Sequence, residues 1–368
     1  MSLPDRSLLF TFRPSTTNIG NDLIAMATEG LLAVAWPQPL DVVSLPSAGS
    51  GRGAKSAGLS PASVYEANLL ADAVLVGGGN VFENGALDVD ANALEALQPP
   101  LAVLAASSGR VRGRDGRLAR RTDGSSRERV AFVCARADPL LVRDEATAAY
   151  LADLGIEGAT VAGCPSLFLD RLVSDLPAPD PELAGTALVS LRNPRLMSVS
   201  YAEQGRVQRD VRHLVRGLRE DYDRVTLLCH DYADLAFAAA FEDVEVRYTE
   251  DPRRLLGWLR GCELAVGYRL QGFLASVALG VPAMHVSYDE RGESMIDTLD
   301  LAAFDVPVHA TSDVAAVALD RVRGLSGKTP RDAAAPALAR LGEALFTGVE
   351  TLAARAAAHR ADRLEVAP

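Results

Sequence analysis

The chain has 368 residues, enough for two domains and a large core. Apolar residues make up 48% and charged residues 23%, an ordinary globular balance, and a formal net charge of −11 argues against general binding to nucleic acid or anionic membranes. Any anionic substrate must then be held by a local group of arginines, since Lys55 and Lys328 are the only lysines. No apolar run reaches transmembrane length, and the N-terminal residues lack the basic-then-apolar pattern of a signal peptide, so a cytoplasmic protein without a membrane span is expected. Cys134, Cys164, Cys229 and Cys262 are far apart, show no metal-ligand spacing and lie in or beside apolar runs. They read as buried thiols in a reducing compartment, with no metal site.

In chain order, residues 7–12 read as a strand, 13–20 as a polar loop, and a helix starts at about Asn21, with Asn21 or Asp22 suited to cap it. A glycine-bearing loop that opens a helix exposes N–H groups to an anion, although taken alone this one reads as a plain βα connection. Residues 41–45 form the next strand, 47–60 a long Gly/Ser/Arg-rich loop expected to be mobile, and 62–70 a helix. Residues 73–76 form a buried strand ending in Gly77, Gly78, Gly79 and Asn80, where the missing Cβ atoms allow close approach of ligand or backbone. This is not GxGxxG, and no acidic ribose partner follows, so the motif does not support a nucleotide site.

Residues 101–105 form a strand. Residues 110–129 are strongly basic without apolar periodicity and read as a surface loop or lid, with anion capture and solvated insertion as the competing interpretations. A strand is expected at 130–134, a helix at 146–154 stopped by Gly155, and a strand at 159–162. Residues 172–185 carry three prolines in five positions and read as a linker, giving an N-terminal domain of 1–175 on the acceptor side and a second of 176–330 on the donor side.

The second half repeats the alternation, with strands at 186–191, 225–229 and 244–248, an amphipathic helix at 207–220 and a helix opened by Asp251 and Pro252. Residues 262–290 are the most informative stretch. A strand at 264–267 turns through Tyr268-Arg269-Leu270-Gln271-Gly272 into a helix at 273–279, stopped by Gly280, and a strand at 283–286 ends in Ser287-Tyr288-Asp289. Strand, helix, strand with Gly and Pro at the joints is a βαβ unit, and such sheets bind ligands at the carboxyl ends of their strands. A short strand is expected at 306–309. From 331 to 368 the chain is Ala-rich, with apolar residues at Leu338, Leu341, Leu345, Val349 and Leu352, a helical tail that packs back on the domains.

These motifs resemble the polysaccharide pyruvyltransferase superfamily. The matching places are TNIGNDLI at 17–24, GGGNVF at 77–82, LLVRDEATAAYLADLGI at 140–156, GCPSLFL at 163–169 and, most specific, GYRLQGFLASVALGVPAMHVSYD at 267–289. The resemblance implies an α/β fold of two Rossmann-like domains facing across a cleft, as in GT-B glycosyltransferases. It implies phosphoenolpyruvate as a small anionic donor, a hydroxylated, sugar-like acceptor, and no metal or organic cofactor. Candidate substrate-binding residues are Asn18, Gly20, Asn21, Asp22, Gly77, Gly78, Gly79, Asn80, Arg143, Arg192, Ser287 and Tyr288; candidate catalytic residues are Arg269, Gln271, His230 and Asp289. A homo-oligomer is compatible with the sequence, which does not specify one.

One departure matters. Family members typically read Arg-Leu-His where this chain has Arg269-Leu270-Gln271, and the histidine is thought to protonate the enol methylene. Glutamine can hydrogen-bond a carboxylate or phosphate but cannot act as a general acid. Arg269 remains suited to bidentate anion recognition. His230, at a strand end beside Asp231, is the replacement acid considered; His285 reads as core, His213 and His309 as surface or packing residues, and His359 as part of the tail. The leading reading is a transferase acting on a non-standard acceptor, in specialised metabolism. A GT-B-like enzyme with a nucleotide-activated donor and a catalytically inactive binding homologue are the alternatives.

Overall fold

The computed structural model describes residues 6–14, 17–49, 57–112, 117–197, 199–325 and 327–366. The first half supplies β1 (Ser7–Arg13), β2 (Leu40–Pro46), β3 (Ala73–Gly79) and β4 (Leu101–Ala106). A short antiparallel hairpin of β5 (Val111–Arg112) and β6 (Leu118–Ala119) follows, then β7 (Ala137–Val142) and β8 (Thr160–Val161). The second half supplies β9 (Thr186–Leu191), β10 (Arg224–Cys229), β11 (Glu245–Tyr248), β12 (Leu264–Gly267) and β13 (Ala283–His285).

These form a six-stranded sheet in the order β2-β1-β3-β4-β7-β8 and a five-stranded sheet in the order β11-β10-β9-β12-β13. Every pairing in both is parallel. Parallel strands covered by helices on both faces are buried along their whole length, which is why β3 and β4 read as unbroken runs of small and branched apolar residues and β9 admits only Thr186 and Ser190 among its apolar ones. One apolar core runs from Leu9, Leu75 and Leu141 of the first sheet through the helices Ile19–Ala35 and Leu270–Leu279 to Leu188 of the second. The two Rossmann-like halves thus share a core beneath the cleft between them. The helix Ala335–Val366 leaves the second half and packs on β7, β3 and the helix Ile19–Ala35. No helix among the described residues is long and apolar enough to cross a membrane.

Several local expectations need correction. Residues 130–134 are helical, inside Arg127–Arg136, because Ser126 caps the helix through the Arg129 N–H and Val130, Val133 and Cys134 bury one face at helical spacing. The strand here is β7, one element later. The strand expected at 306–309 reduces to a single bridge between His285 and Asp305, followed by a 3₁₀ turn at Val308–Ala310 that Pro307 precedes; proline has no N–H to continue a ladder. The first helix is capped by Asn18, whose side chain accepts from the Gly20 N–H, so Asn21 and Asp22 lie inside its first turn. The helix Leu270–Leu279 begins earlier than expected, which places Gln271 on its first turn. Of the loops at 47–60 and 110–129, residues 50–56 and 113–116 lie outside the described residues.

Candidate active site

A cavity of about 90 Å³ lies where the carboxyl ends of strands from both sheets meet. From the first half it is lined by Asn18 and Asn21 after β1, Gly79 and Asn80 at the end of β3, and Arg143 immediately after β7. From the second it receives His230 after β10, Tyr268, Arg269 and Gln271 after β12, and His285, Tyr288, Asp289 and Arg291 at and after β13. Strand-end loops are the parts of a parallel sheet free to vary without disturbing the core, which is why polar side chains converge here.

The arginines are held by carboxylates to different degrees. Arg269 is almost fully buried; its Nη2 contacts Asp234 directly and its Nε donates to the Leu191 carbonyl at 3.0 Å. It is therefore a structural cation at the cavity wall more than a free anion clamp. Arg291 bridges the halves, donating to Asp289 on its own helix and, at 2.6 Å, to Glu83 of the first half. Arg143 is 3% exposed and donates its Nε to Asp144 at 3.3 Å. Asp144 already accepts from the Thr147 N–H at 3.0 Å, the Thr147 hydroxyl at 2.8 Å and the Ser294 hydroxyl at 3.2 Å. Arg143 Nη2 is buried and has no hydrogen-bond partner among the described residues.

The histidines differ as sharply. His230 is fully buried and its Nε2 lies 3.1 Å from Ser190 Oγ. Burial, reinforced by the Arg269 guanidinium, pushes its pKa down to about 3. It stays neutral at physiological pH, which removes it as a ready proton donor. His285, read from sequence as core, is indeed buried but lines the cavity, with Nδ1 2.8 Å from Asp305 Oδ1.

Gln271 faces the first half, its Oε1 accepting from the Ser166 hydroxyl at 2.9 Å. Gly20 makes room for it: a Cβ at position 20 would lie 2.9 Å from Gln271 Cβ. Nearby, the Thr17 hydroxyl donates to Asp231 at 2.9 Å and the Ile19 N–H to the His230 carbonyl at 3.0 Å, so the start of the first helix is pinned to the end of β10. Asp289 caps the helix Glu290–Thr298 through the Gly292 N–H, at 3.1 Å. Burial alone would raise its carboxyl, but Arg291 and that N–H outweigh burial and hold it below the ordinary carboxylate range.

Six sequence candidates do not line this cavity. Gly20 packs on Gln271 as described. Asp22 pairs outward with Arg13 at 3.5 Å. Gly77 and Gly78 face a small apolar recess beside Ile24, whose Cγ2 would lie 2.2 Å from a Cβ at position 78, so this pair serves packing. Arg192 sits behind the wall, 3.6 Å from Asp231, and burial followed by repulsion from Arg269 lowers its pKa. Ser287 is fully buried, donating its hydroxyl to Asp305 at 2.6 Å. Conversely, sequence reasoning did not single out Arg291, Glu83 or Asp305. Arg291 had a signal, two residues past Asp289 at the next helix start; the other two had none.

A comparison with curated protein sequences gives no match. Among solved structures, the fold resembles a putative UDP-N-acetylglucosamine 2-epimerase from Listeria monocytogenes, at 14% identity over 99% of this chain and 98% of that one, with a TM-score of 0.56. It also resembles S. aureus MnaA in complex with UDP, at 11% identity over 99% and 98% of the two chains and a TM-score of 0.55. The trehalose 6-phosphate synthase of Burkholderia multivorans matches at 13% identity over 99% of each chain, with a TM-score of 0.51. At such identities the likeness is one of fold, the GT-B-like pairing of two Rossmann-like halves. The sequence profile described as Polysaccharide pyruvyl transferase matches residues 18–290, from the cap of the first helix to the start of the helix after β13. That span takes in every residue found lining the cavity except Arg291 and Gly292, and the chain belongs to the polysaccharide pyruvyl transferase family of transferases.

Proposed function

We propose that this transferase moves the three-carbon unit of phosphoenolpyruvate onto a pair of hydroxyls of a saccharide-like acceptor, releasing inorganic phosphate. The observation that carries this reading is Arg143. Its guanidinium is held from behind through Nε by Asp144 Oδ2, while Oδ1 of that carboxylate is taken by Thr147 and Ser294, and its buried Nη2 is left for an anion at the cavity. A carboxylate or phosphate oxygen there would gain a charge-assisted hydrogen bond in a site shielded from water. Arg269 and Arg291 add positive potential from the second half, while Asn18, Asn21, Asn80 and Gln271 offer neutral polar groups.

In the reaction so written, the donor methylene takes a proton, one acceptor oxygen adds to C2, phosphate leaves, and a second oxygen closes the ketal. One hydroxyl proton ends on the methyl group and the other on phosphate. Every step draws on acid–base and ion-pair groups, without calling on a metal or organic cofactor. The acceptor belongs to specialised metabolism in this reading.

Calorimetric titration with phosphoenolpyruvate tests the donor. The native chain is expected to bind, and Arg143→Met, shown to be folded by its circular dichroism, to bind at least tenfold more weakly. Equal binding by both proteins, or none by the native chain at millimolar donor, would overturn the reading. UDP is named in one of the fold neighbours above. UDP-sugars titrated in parallel therefore test the nucleotide-donor alternative.

A further inference from the structure

Resting on the donor reading above, we propose that His285, oriented by Asp305, is the acid that protonates the donor methylene. An enol phosphate gains an electrophilic C2 only as C3 takes up a proton, so a proton donor must reach the cavity. Gln271 carries no titratable proton. His230 is enclosed, bonded to Ser190, and kept neutral by burial and Arg269. His285 differs in its setting.

It is the last residue of β13, at the same strand ends that supply Arg269 and Asp289. Its Nδ1 lies 2.8 Å from Asp305 Oδ1, which fixes Nδ1 as the N–H that donates to the carboxylate and leaves Nε2 to exchange protons. Nε2 is buried and has no partner among the described residues. Asp305 is itself immobilised, its Oδ1 accepting from the Ser287 N–H at 3.0 Å and its Oδ2 from the Ser287 hydroxyl at 2.6 Å. Phe273 packs at 5.4 Å between ring centroids, and Gly292 leaves space for the ring, since a Cβ there would lie 3.0 Å from His285 Cε1. When His285 is protonated, the imidazolium has its counter-ion in place and one free N–H.

The step then balances. The Nε2–H proton moves to C3, and the C2–C3 π pair becomes the new C3–H bond. The acceptor oxygen bonds to C2, and its proton returns to Nε2. The C2–O bond to phosphate breaks, phosphate leaves with the pair, and the second acceptor hydroxyl bonds to C2, its proton passing to the phosphate. With water in place of the acceptor, the products are pyruvate and inorganic phosphate.

The test needs no acceptor. Native chain, His285→Gln and Asp305→Asn are each incubated with phosphoenolpyruvate in D₂O. Deuterium entry at C3 and pyruvate release are followed by NMR, and donor affinity by calorimetry. His285→Gln is expected to hold the donor within about twofold of native and to lose deuterium entry by about a hundredfold. Asp305→Asn, which keeps the imidazole, is expected to lower kcat with KM nearly unchanged. That split also keeps the proposal testable should His285→Gln fail to fold. Native exchange rates in either variant would overturn the role of His285. Failure of the native chain to bind the donor would instead remove the donor reading on which it rests.

Discussion

Changing Asp234 to Asn would leave the Arg269 guanidinium buried without its counter-charge. Asp234 is 0% exposed and Arg269 8%, and the two side chains are in direct contact. Breaking one partner of a buried pair costs about 3–5 kcal/mol, because the remaining charge stays desolvated. The lower end applies to Asp234→Asn, since the side-chain oxygen can still accept from the Asn193 N–H, now at 2.9 Å, and Arg269 keeps the Leu191 carbonyl. Arg269→Met strands the carboxylate instead, with Arg192 at 4.0 Å as a weak substitute. Removing both charges leaves neither stranded, so the double variant should be less destabilised than the sum of the singles by at least about 1.5 kcal/mol. Urea unfolding at pH 7, with midpoint and slope compared across the four proteins, measures this coupling. Single losses below about 1 kcal/mol that simply add would refute the view of Arg269 as a structural cation. The result also governs how ligand data are read: an Arg269 variant that loses donor binding would report a damaged wall, whereas the carboxylate left by an Arg143 variant, Asp144, keeps its bonds from the Thr147 N–H and the Thr147 and Ser294 hydroxyls.

Two further outcomes follow from burial. His230 has a folded-state pKa near 3 against an ordinary value of 6.5, so between those values the unfolded chain binds more protons and stability falls as the pH drops. The slope is about 1.4 kcal/mol per pH unit, or about 2 kcal/mol between pH 6.5 and 5. His230→Gln should lose that increment in urea unfolding, and an identical pH dependence in both proteins would contradict it. All four cysteines are buried, and burial lifts the thiols of Cys134, Cys229 and Cys262 to about 12. A maleimide at pH 7.5 should therefore leave the native chain unlabelled and modify four thiols in urea; stoichiometric labelling of native protein would count against this packing.

The alternation of strands and helices was legible because strands buried on both faces, such as β3 and β4, are uninterrupted runs without a polar residue, with Gly or Pro at the joints. The failure at 130–134 has the same origin. Five mostly apolar residues satisfy a buried strand and a helix equally, and only the 130, 133, 134 spacing with Ser126 ahead of it separates them. At the site, Arg143, Asn80 and Arg269 were visible as polar residues at strand ends. What could not be read was the pairing between distant segments. Glu83 and Arg291 are 208 positions apart, and nothing in either neighbourhood announces the other. His285 shows the limit most clearly, since a residue in a fully buried strand has the same pattern whether its ring meets the core or a cavity. Its meaning came from Asp305, supplied by a segment that resembled a strand of its own.

The helix Ala335–Val366 lies against strands made some 200 or more residues earlier in synthesis. Its Leu341, Leu345, Val349 and Leu352 complete the core that Leu9, Leu75 and Leu141 begin. On the ribosome, the first half therefore emerges with an apolar face bare, and that face stays bare until the second half and the last helix have followed it out. The two halves consequently cannot mature one after the other as beads on a string. The helix Ala335–Val366 acts as the closing clasp, and a nascent chain interrupted before it should depend on chaperones for as long as it survives.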